Sequence, residues 1–109
     1  MTEYVMVMTV AKDDAEANGI VDAVLHKKLA ACANVISGVQ SKYWWRDKIE
    51  TRNEKIIFFK TKTHLVQKVK ELILIKHTYE IAEVAVVPII DGSMHYLSWI
   101  DQEVERQSD

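Results

Sequence analysis

The side chains able to do chemistry are few and scattered. The four histidines are His26, His64, His77 and His95, and the single cysteine is Cys32. No two of them stand at helical or finger-type spacing, so sequence spacing alone builds no structural zinc set within one chain. A metal site needs groups brought together by folding or across subunits. Cys32 opens a long strand-like run, where a free cysteine is usually a small buried hydrophobe. Its competing role is ligand or nucleophile, and no His or acid lies near it in sequence to activate it. Tyr43, Trp44 and Trp45 alternate faces on that run. They suit a platform for a ligand or base, or an anchor for a neighbouring subunit, the use in which aromatics dominate interface energetics. Lys60 and Lys62 share a strand face and could meet an anion or stand as solvated rim charges. Glu80 and Glu83 could supply cleft carboxylates or be taken up in ion pairs. No nucleophile–base pair or carboxylate dyad emerges, which argues against an enzyme.

These groups must be positioned by a small frame. The 109 residues amount to one domain, 1–109, with about half the residues apolar. A net charge of −2 argues against a nucleic-acid partner, which calls for a basic excess. One cysteine forms no internal disulfide and suits a reducing, cytoplasmic setting. The opening MTEYVMVMTV lacks the basic segment and long apolar run of a signal peptide. No run of 18 apolar residues suggests a membrane span.

The elements follow from periodicity. Tyr4 to Val10 reads as a strand. A helix follows, capped by Asp13 or Asp14, with Ala17, Ile20, Val21, Val24, Leu25 and Leu29 at helical spacing. Gly19 within it costs about 1 kcal/mol relative to Ala, so a packing reason is expected. The basic trio His26, Lys27, Lys28 suits the helix's negative end. Cys32 to Arg46 and Glu54 to Lys62 read as the arms of a β-hairpin around a polar middle, Asp47 to Asn53, that contains no Asn-Gly or Asp-Gly turn. Thr63 is placed to cap a second helix with Leu65, Val69, Leu72 and Ile73 on one stripe. Glu83 to Ile90 reads as a short strand whose Pro88 belongs at an edge or bulge. Asp91-Gly92 turns the chain, and Ser93 can cap a last helix carrying Leu97, Ile100 and Val104. The polar tail Arg106 to Asp109 is expected to fray.

The order β-α-β-β-α-β-α opens with the split βαβ arrangement of a ferredoxin-like α+β sheet. Two helices cover one sheet face, and the other should alternate with polar residues. It does not. Tyr4, Met6 and Met8 oppose Val5, Val7 and Val10; Ile56 and Phe58 oppose Ile57 and Phe59; Val84 and Val86 oppose Ala85 and Val87. A sheet apolar on both faces needs two covers, and this chain is too short for a second helical layer. Burial of the second face in a homo-oligomer is expected.

Four segments in this order carry a resemblance: Leu29-Ala30-Ala31-Cys32-Ala33-Asn34, Ser41-Lys42-Tyr43-Trp44-Trp45, Lys60-Thr61-Lys62, and His77-Thr78-Tyr79-Glu80 running on to Tyr96-Leu97-Ser98-Trp99. Together they resemble the CutA family of divalent-cation tolerance proteins, over Val5 to Ile100. The resemblance implies a trimer of ferredoxin-like domains, similar in architecture to PII signalling proteins. It also implies a cytosolic role in tolerance to divalent metals, copper above all. Two other roles stay open: a PII-like regulatory trimer holding a small ligand in inter-subunit clefts, and an interaction module without ligand. The first has no Gly-rich phosphate loop to support it, with three glycines in the whole chain.

By the same resemblance, the copper-binding groups of some relatives fall at Met8, where they have Cys, and at His77, beside which Lys76 replaces a second His. A thioether beside an imidazole suits Cu(I); the alternative is that Met8 packs in the sheet and His77 ends a helix. The family often carries Pro where this chain has Thr78 and Ala82, a further Pro after the first strand where Ala11 and Lys12 stand, and Gly where it has Asp47. Loss of these prolines implies looser loops and lower heat stability.

Overall fold

The computed structural model describes residues 3–106, so of the expected frayed tail only Arg106 lies within it. Four strands, β1 (Tyr4–Ala11), β2 (Cys32–Trp45), β3 (Lys48–Lys62) and β4 (Val84–Pro88), alternate with α1 (Asp14–His26), α2 (Val66–Lys76) and α3 (Met94–Glu103). The sheet is antiparallel with order β2-β3-β1-β4. Pro88 therefore ends an edge strand, where its missing N–H breaks no central ladder.

Register decides which residues make the core. Val5, Val7 and Thr9 face Thr61, Phe59 and Ile57 across β1 and β3, and all six are buried. Val7, Ile57 and Phe59 pack with Ala17, Ile20 and Val24 of α1 and with Val69 and Ile73 of α2. Each large apolar side chain so buried is worth about 1.5–3 kcal/mol. Strict alternation corrects one expectation. Thr9, not Val10, continues the core face of β1, and Val10 pairs with Ile56 on the other side.

Several boundaries also differ from the sequence reading. The polar middle of the hairpin is strand, and the turn is only Arg46-Asp47 between Trp45 and Lys48. Both turn residues have positive φ, 51° and 66°, as a two-residue type I′ connection requires. The arms run nearly the length of the 46 Å molecule. A bulge between Ile36 and Val39 interrupts them, with Gly38 at φ 75°. Thr63 opens a 3-10 turn, Thr63–Leu65, rather than capping α2. Ser93 occupies the cap position of α3 without a side-chain capping bond. The last strand is Val84–Pro88, shorter than Glu83 to Ile90. Gly19 has no packing reason, since a Cβ there would meet nothing within 4 Å. Asp13 is the α1 cap, its carboxylate accepting from the Glu16 amide at 2.9 Å.

The second sheet face carries Met6 and Met8 of β1, Ile56 and Phe58 of β3, Ala85 and Val87 of β4, and Ile36 of β2. At one end α3 approaches it, with Lys62 paired to Asp101 and Tyr96 against Cys32. Ile100 and Val104 are buried in the core. The rest of that face has no cover within the described chain: Ile36 is 48% exposed and Val87 40%.

Candidate functional site

A cleft of about 630 Å³ opens where the hairpin meets the segment between α2 and β4. Its lining includes Tyr43, Trp44 and Trp45 from β2, Arg52 and Glu54 from β3, Lys12 after β1, and Tyr79, Glu80 and Glu83 from the connecting segment. The register explains why these residues meet. Ser41 pairs with Arg52 and Val39 with Glu54, so Tyr43, Trp45, Arg52 and Glu54 share one strand face. That face continues the uncovered side of Ile56 and Phe58.

The cleft wall is held by a polar cluster. Tyr79 donates its hydroxyl to Glu54 Oε2 at 2.6 Å, and Glu54 is buried, 7% exposed. Burial, followed by the Glu54 carboxylate, pushes the Tyr79 phenol up to about 12. At neutral pH Tyr79 is therefore a hydrogen-bond donor and not a base. The Arg52 guanidinium lies 4.8 Å from the Tyr79 ring centroid and 6.0 Å from that of Tyr43. Arg46 lies 5.5 Å from the Trp45 ring and 3.6 Å from Glu80. Both Arg46 and Glu80 are exposed, so that ion pair adds little stability.

A second cluster fixes the segment that carries Tyr79. Glu16, half a turn into α1, accepts from the Lys12 amide at 3.0 Å through Oε1. Its Oε2 accepts from the Thr78 amide at 3.0 Å and from the Thr78 hydroxyl. Burial alone would raise this carboxyl, but the bonds from Thr78 and Lys12, with His77 nearby, hold it below the usual carboxylate value. His77 stands behind the cleft wall. Its Nε2 lies 2.6 Å from the Val10 carbonyl, which can only accept, so Nε2 carries the proton. Its Nδ1 accepts from the Tyr79 amide at 3.1 Å. Both ring nitrogens are thus engaged.

Of the residues singled out by sequence, the cleft brings together Tyr43, Trp44, Trp45, Glu80 and Glu83. Glu80 has its arginine partner, whereas Glu83 makes no hydrogen bond or ion pair among the described residues. Met8 lies on the open sheet face between Phe58 and Ala85. Cys32 is half-buried near Tyr96 at the other end of the sheet, Lys60 donates to Asn34, and Lys62 to Asp101. The two lysines are therefore engaged separately. Among the described residues no group of three His, Cys, Asp or Glu side chains could hold a metal ion. Arg52, Glu54, Tyr79 and Glu16 were not singled out. Asp13 with Glu16 three residues on is close to a capping-box signal and could have drawn attention to Glu16. Arg52 fell in the polar hairpin middle, which was not read as strand, and Glu54 opened the second arm with nothing in the sequence to mark its partner Tyr79, 25 residues on.

The family model described as CutA1 divalent ion tolerance protein matches residues 5–103. Protein CutA of Homo sapiens is 40% identical over 93 residues, 85% of this chain and 52% of that protein. The divalent-cation tolerance protein CutA of Thermus thermophilus is 34% identical, over 90% of this chain and 94% of that one. A solved structure named as the periplasmic divalent cation tolerance protein CutA from Archaeoglobus fulgidus superposes with a TM-score of 0.90 at 32% identity, covering 94% and 99% of the two chains. The chain spans about half the length of the plant and vertebrate relatives it matches.

Proposed function

The chain belongs to the CutA1 divalent ion tolerance family, and from that premise we propose that it acts in tolerance to divalent cations as a homotrimer that binds its ligand and does not transform it. The observation that carries this reading is the uncovered apolar face of the sheet, which runs directly into the cleft. The β2-β3-β1-β4 order with both crossover helices on one face supports the ferredoxin-like description, and three such domains can bury their open faces against one another. A neighbour seated there borders each cleft, as in the inter-subunit sites of a PII-like binder. The cleft itself supports binding over catalysis, because its phenol is held protonated and its buried carboxylate is already satisfied by it.

A metal ion such as copper is the expected cargo. Within one chain the described residues do not make a complete site for it, so the donors have to be completed across subunits. An imidazole ligand here has to use the His77 Nδ1 lone pair, which already accepts from the Tyr79 amide. Its bond from the Tyr79 amide is worth only about 0.5–1.5 kcal/mol net, and a metal can displace it at small cost. Met8 is the thioether proposed to join it. Copper titration of the assembled protein, in both oxidation states, against His77→Ala tests this. Weaker binding by the variant supports His77 as a ligand; equal binding removes it.

A cytoplasmic location completes the proposal. Cys32 is free, as a reducing compartment allows. Cell fractionation tests it, and recovery outside the cytoplasm would overturn it.

A further inference from the structure

We propose that Glu16 is the positioning residue of this site: its one carboxylate ties the β1–α1 turn to the α2–β4 segment and so fixes which ring nitrogen of His77 keeps its lone pair. The use of that lone pair rests on the reading of His77 as a donor to a ligand; the clamp itself does not.

A neutral imidazole carries its proton on either nitrogen, and the hydrogen bond made by one decides what the other presents. In this chain two partners impose the choice. The Val10 carbonyl takes the Nε2 proton at 2.6 Å, and the Tyr79 amide donates to Nδ1 at 3.1 Å. Imidazoles that serve as ligands are held in the same way, one nitrogen donating to a carbonyl or carboxylate while the other binds. The sheet does not set the approach of these two partners. Tyr79 lies in the stretch between α2 and β4 that is neither helix nor strand. The β1–β4 ladder ends at Thr9, one residue before Val10.

Glu16 closes that gap. Its Oε1 accepts from the amide of Lys12, two residues beyond Val10. Its Oε2 accepts from the amide and the hydroxyl of Thr78, the residue between His77 and Tyr79. One side chain thus grips the backbone beside each partner of the ring. Helix capping does not account for this. Glu16 is the third residue after the Asp13 cap, where a capping-box carboxylate reaches back to the amide of the cap itself. Here one oxygen goes to Lys12 instead, and the other takes both donors of a residue 62 positions away. Glu16 is buried, and hydrogen bonds to a charged acceptor are roughly twice as strong as neutral ones. Three such bonds set the spacing of the two segments, and the imidazole with its two neutral bonds conforms to it.

The test reads the tautomer directly, in the assembled full chain without metal. Long-range proton–nitrogen spectra at about pH 8, where an ordinary imidazole is neutral, tell a protonated ring nitrogen from a bare one, and His77→Ala assigns the signal. Wild-type His77 is expected with its proton on Nε2. In Glu16→Ala the ratio of the two forms should shift about two- to tenfold towards Nδ1–H, the effect of losing the net worth of one hydrogen bond. Glu16→Gln keeps one acceptor oxygen and Thr78→Ala keeps the amide, so each should shift the ratio less. Ile100→Val, a core change in α3 away from the clamp, lowers stability and should leave the ratio unchanged. A wild-type ring protonated on Nδ1, or an unchanged ratio in Glu16→Ala, would overturn the proposal. So would an equal shift in Ile100→Val, by making general loosening the cause. If Glu16→Ala does not fold, an unchanged ratio in both Glu16→Gln and Thr78→Ala overturns it. A shifted tautomer in a chain whose copper binding is indifferent to His77→Ala keeps the clamp and removes the ligand role on which its use rests.

Discussion

Thr78 donates its backbone N–H to the carboxylate of Glu16, 62 residues earlier in the chain, at 3.0 Å. Its hydroxyl reaches the same oxygen. One side chain from the start of α1 thereby fixes the segment that carries Tyr79, Glu80 and Glu83 into the cleft.

That bond reverses the expectation for a proline at this position. The preceding His77 is extended, at φ −78° and ψ 143°, which a following proline tolerates. At a site whose own φ also suits it, a proline stabilises by about 0.4–1 kcal/mol through the unfolded chain. The substitution also removes the amide and the hydroxyl that satisfy Glu16. Loss of those donors costs about 1–3 kcal/mol, so Thr78→Pro is expected to lower the thermal midpoint. A raised midpoint would show that Glu16 does not depend on Thr78.

Glu16 should also shape the acid limb of stability. Its carboxyl is held below the usual value of 4.5 in the folded chain. A depressed carboxyl contributes stability that is complete above its unfolded value and is lost as pH falls through its folded value. Denaturant midpoints measured from pH 6 down to pH 2 should fall more steeply below about 4.5 in the wild type than in Glu16→Gln. Parallel curves would contradict the assignment.

Tyr79 predicts an alkaline signature of opposite sign. Its folded value near 12 lies above the ordinary 10.0, so its contribution is complete below pH 10 and lost as pH rises towards 12. Ultraviolet titration should show one tyrosine ionising near 12 in the wild type and none there in Tyr79→Phe. The variant also leaves buried Glu54 without its donor, at a cost of about 1–3 kcal/mol. Unaltered stability together with an unaltered titration would remove the Tyr79–Glu54 bond.

The hairpin turn gives a stabilising variant. Asp47 sits at φ 66°, a left-handed conformation that costs most side-chain-bearing residues about 1–2 kcal/mol and that glycine adopts freely. Asp47→Gly should stabilise by a few tenths to about 1 kcal/mol, because the glycine's extra freedom when unfolded offsets part of the relief. A lower denaturation midpoint would show that the Asp47 side chain contributes more than the strain removes.

Much of the fold was legible because it rests on alternation. Val5, Val7, Ile57 and Phe59 identify a core face, and Met6, Met8, Ile56 and Phe58 identify a second apolar face. The parity slip at Val10 arose because Thr9, a polar residue, is fully buried. The hairpin's middle, Asp47 to Asn53, was set apart from the arms because its residues are polar or charged, and Lys48 to Asn53 are exposed on both strand faces. Its two-residue turn was hidden because Arg46 and Asp47 take positive φ without the glycine that usually signals it. The site was less legible for a different reason. Glu16, Glu54 and Tyr79 act through contacts spanning 25 and 62 residues, and sequence periodicity says nothing about such distances. Tyr43, Trp45 and Glu80 could be picked out as chemical groups, but only folding places them around one cleft with Arg52 and Tyr79.

The trimer is the claim from which the covered sheet face, the inter-subunit cleft and the completed metal site all follow. Sedimentation equilibrium of the full chain at micromolar concentration measures it directly. A single species of about three times the 12.6 kDa chain mass is predicted. A stable, folded monomer, with the face of Met6, Phe58 and Val87 left in water, would contradict it.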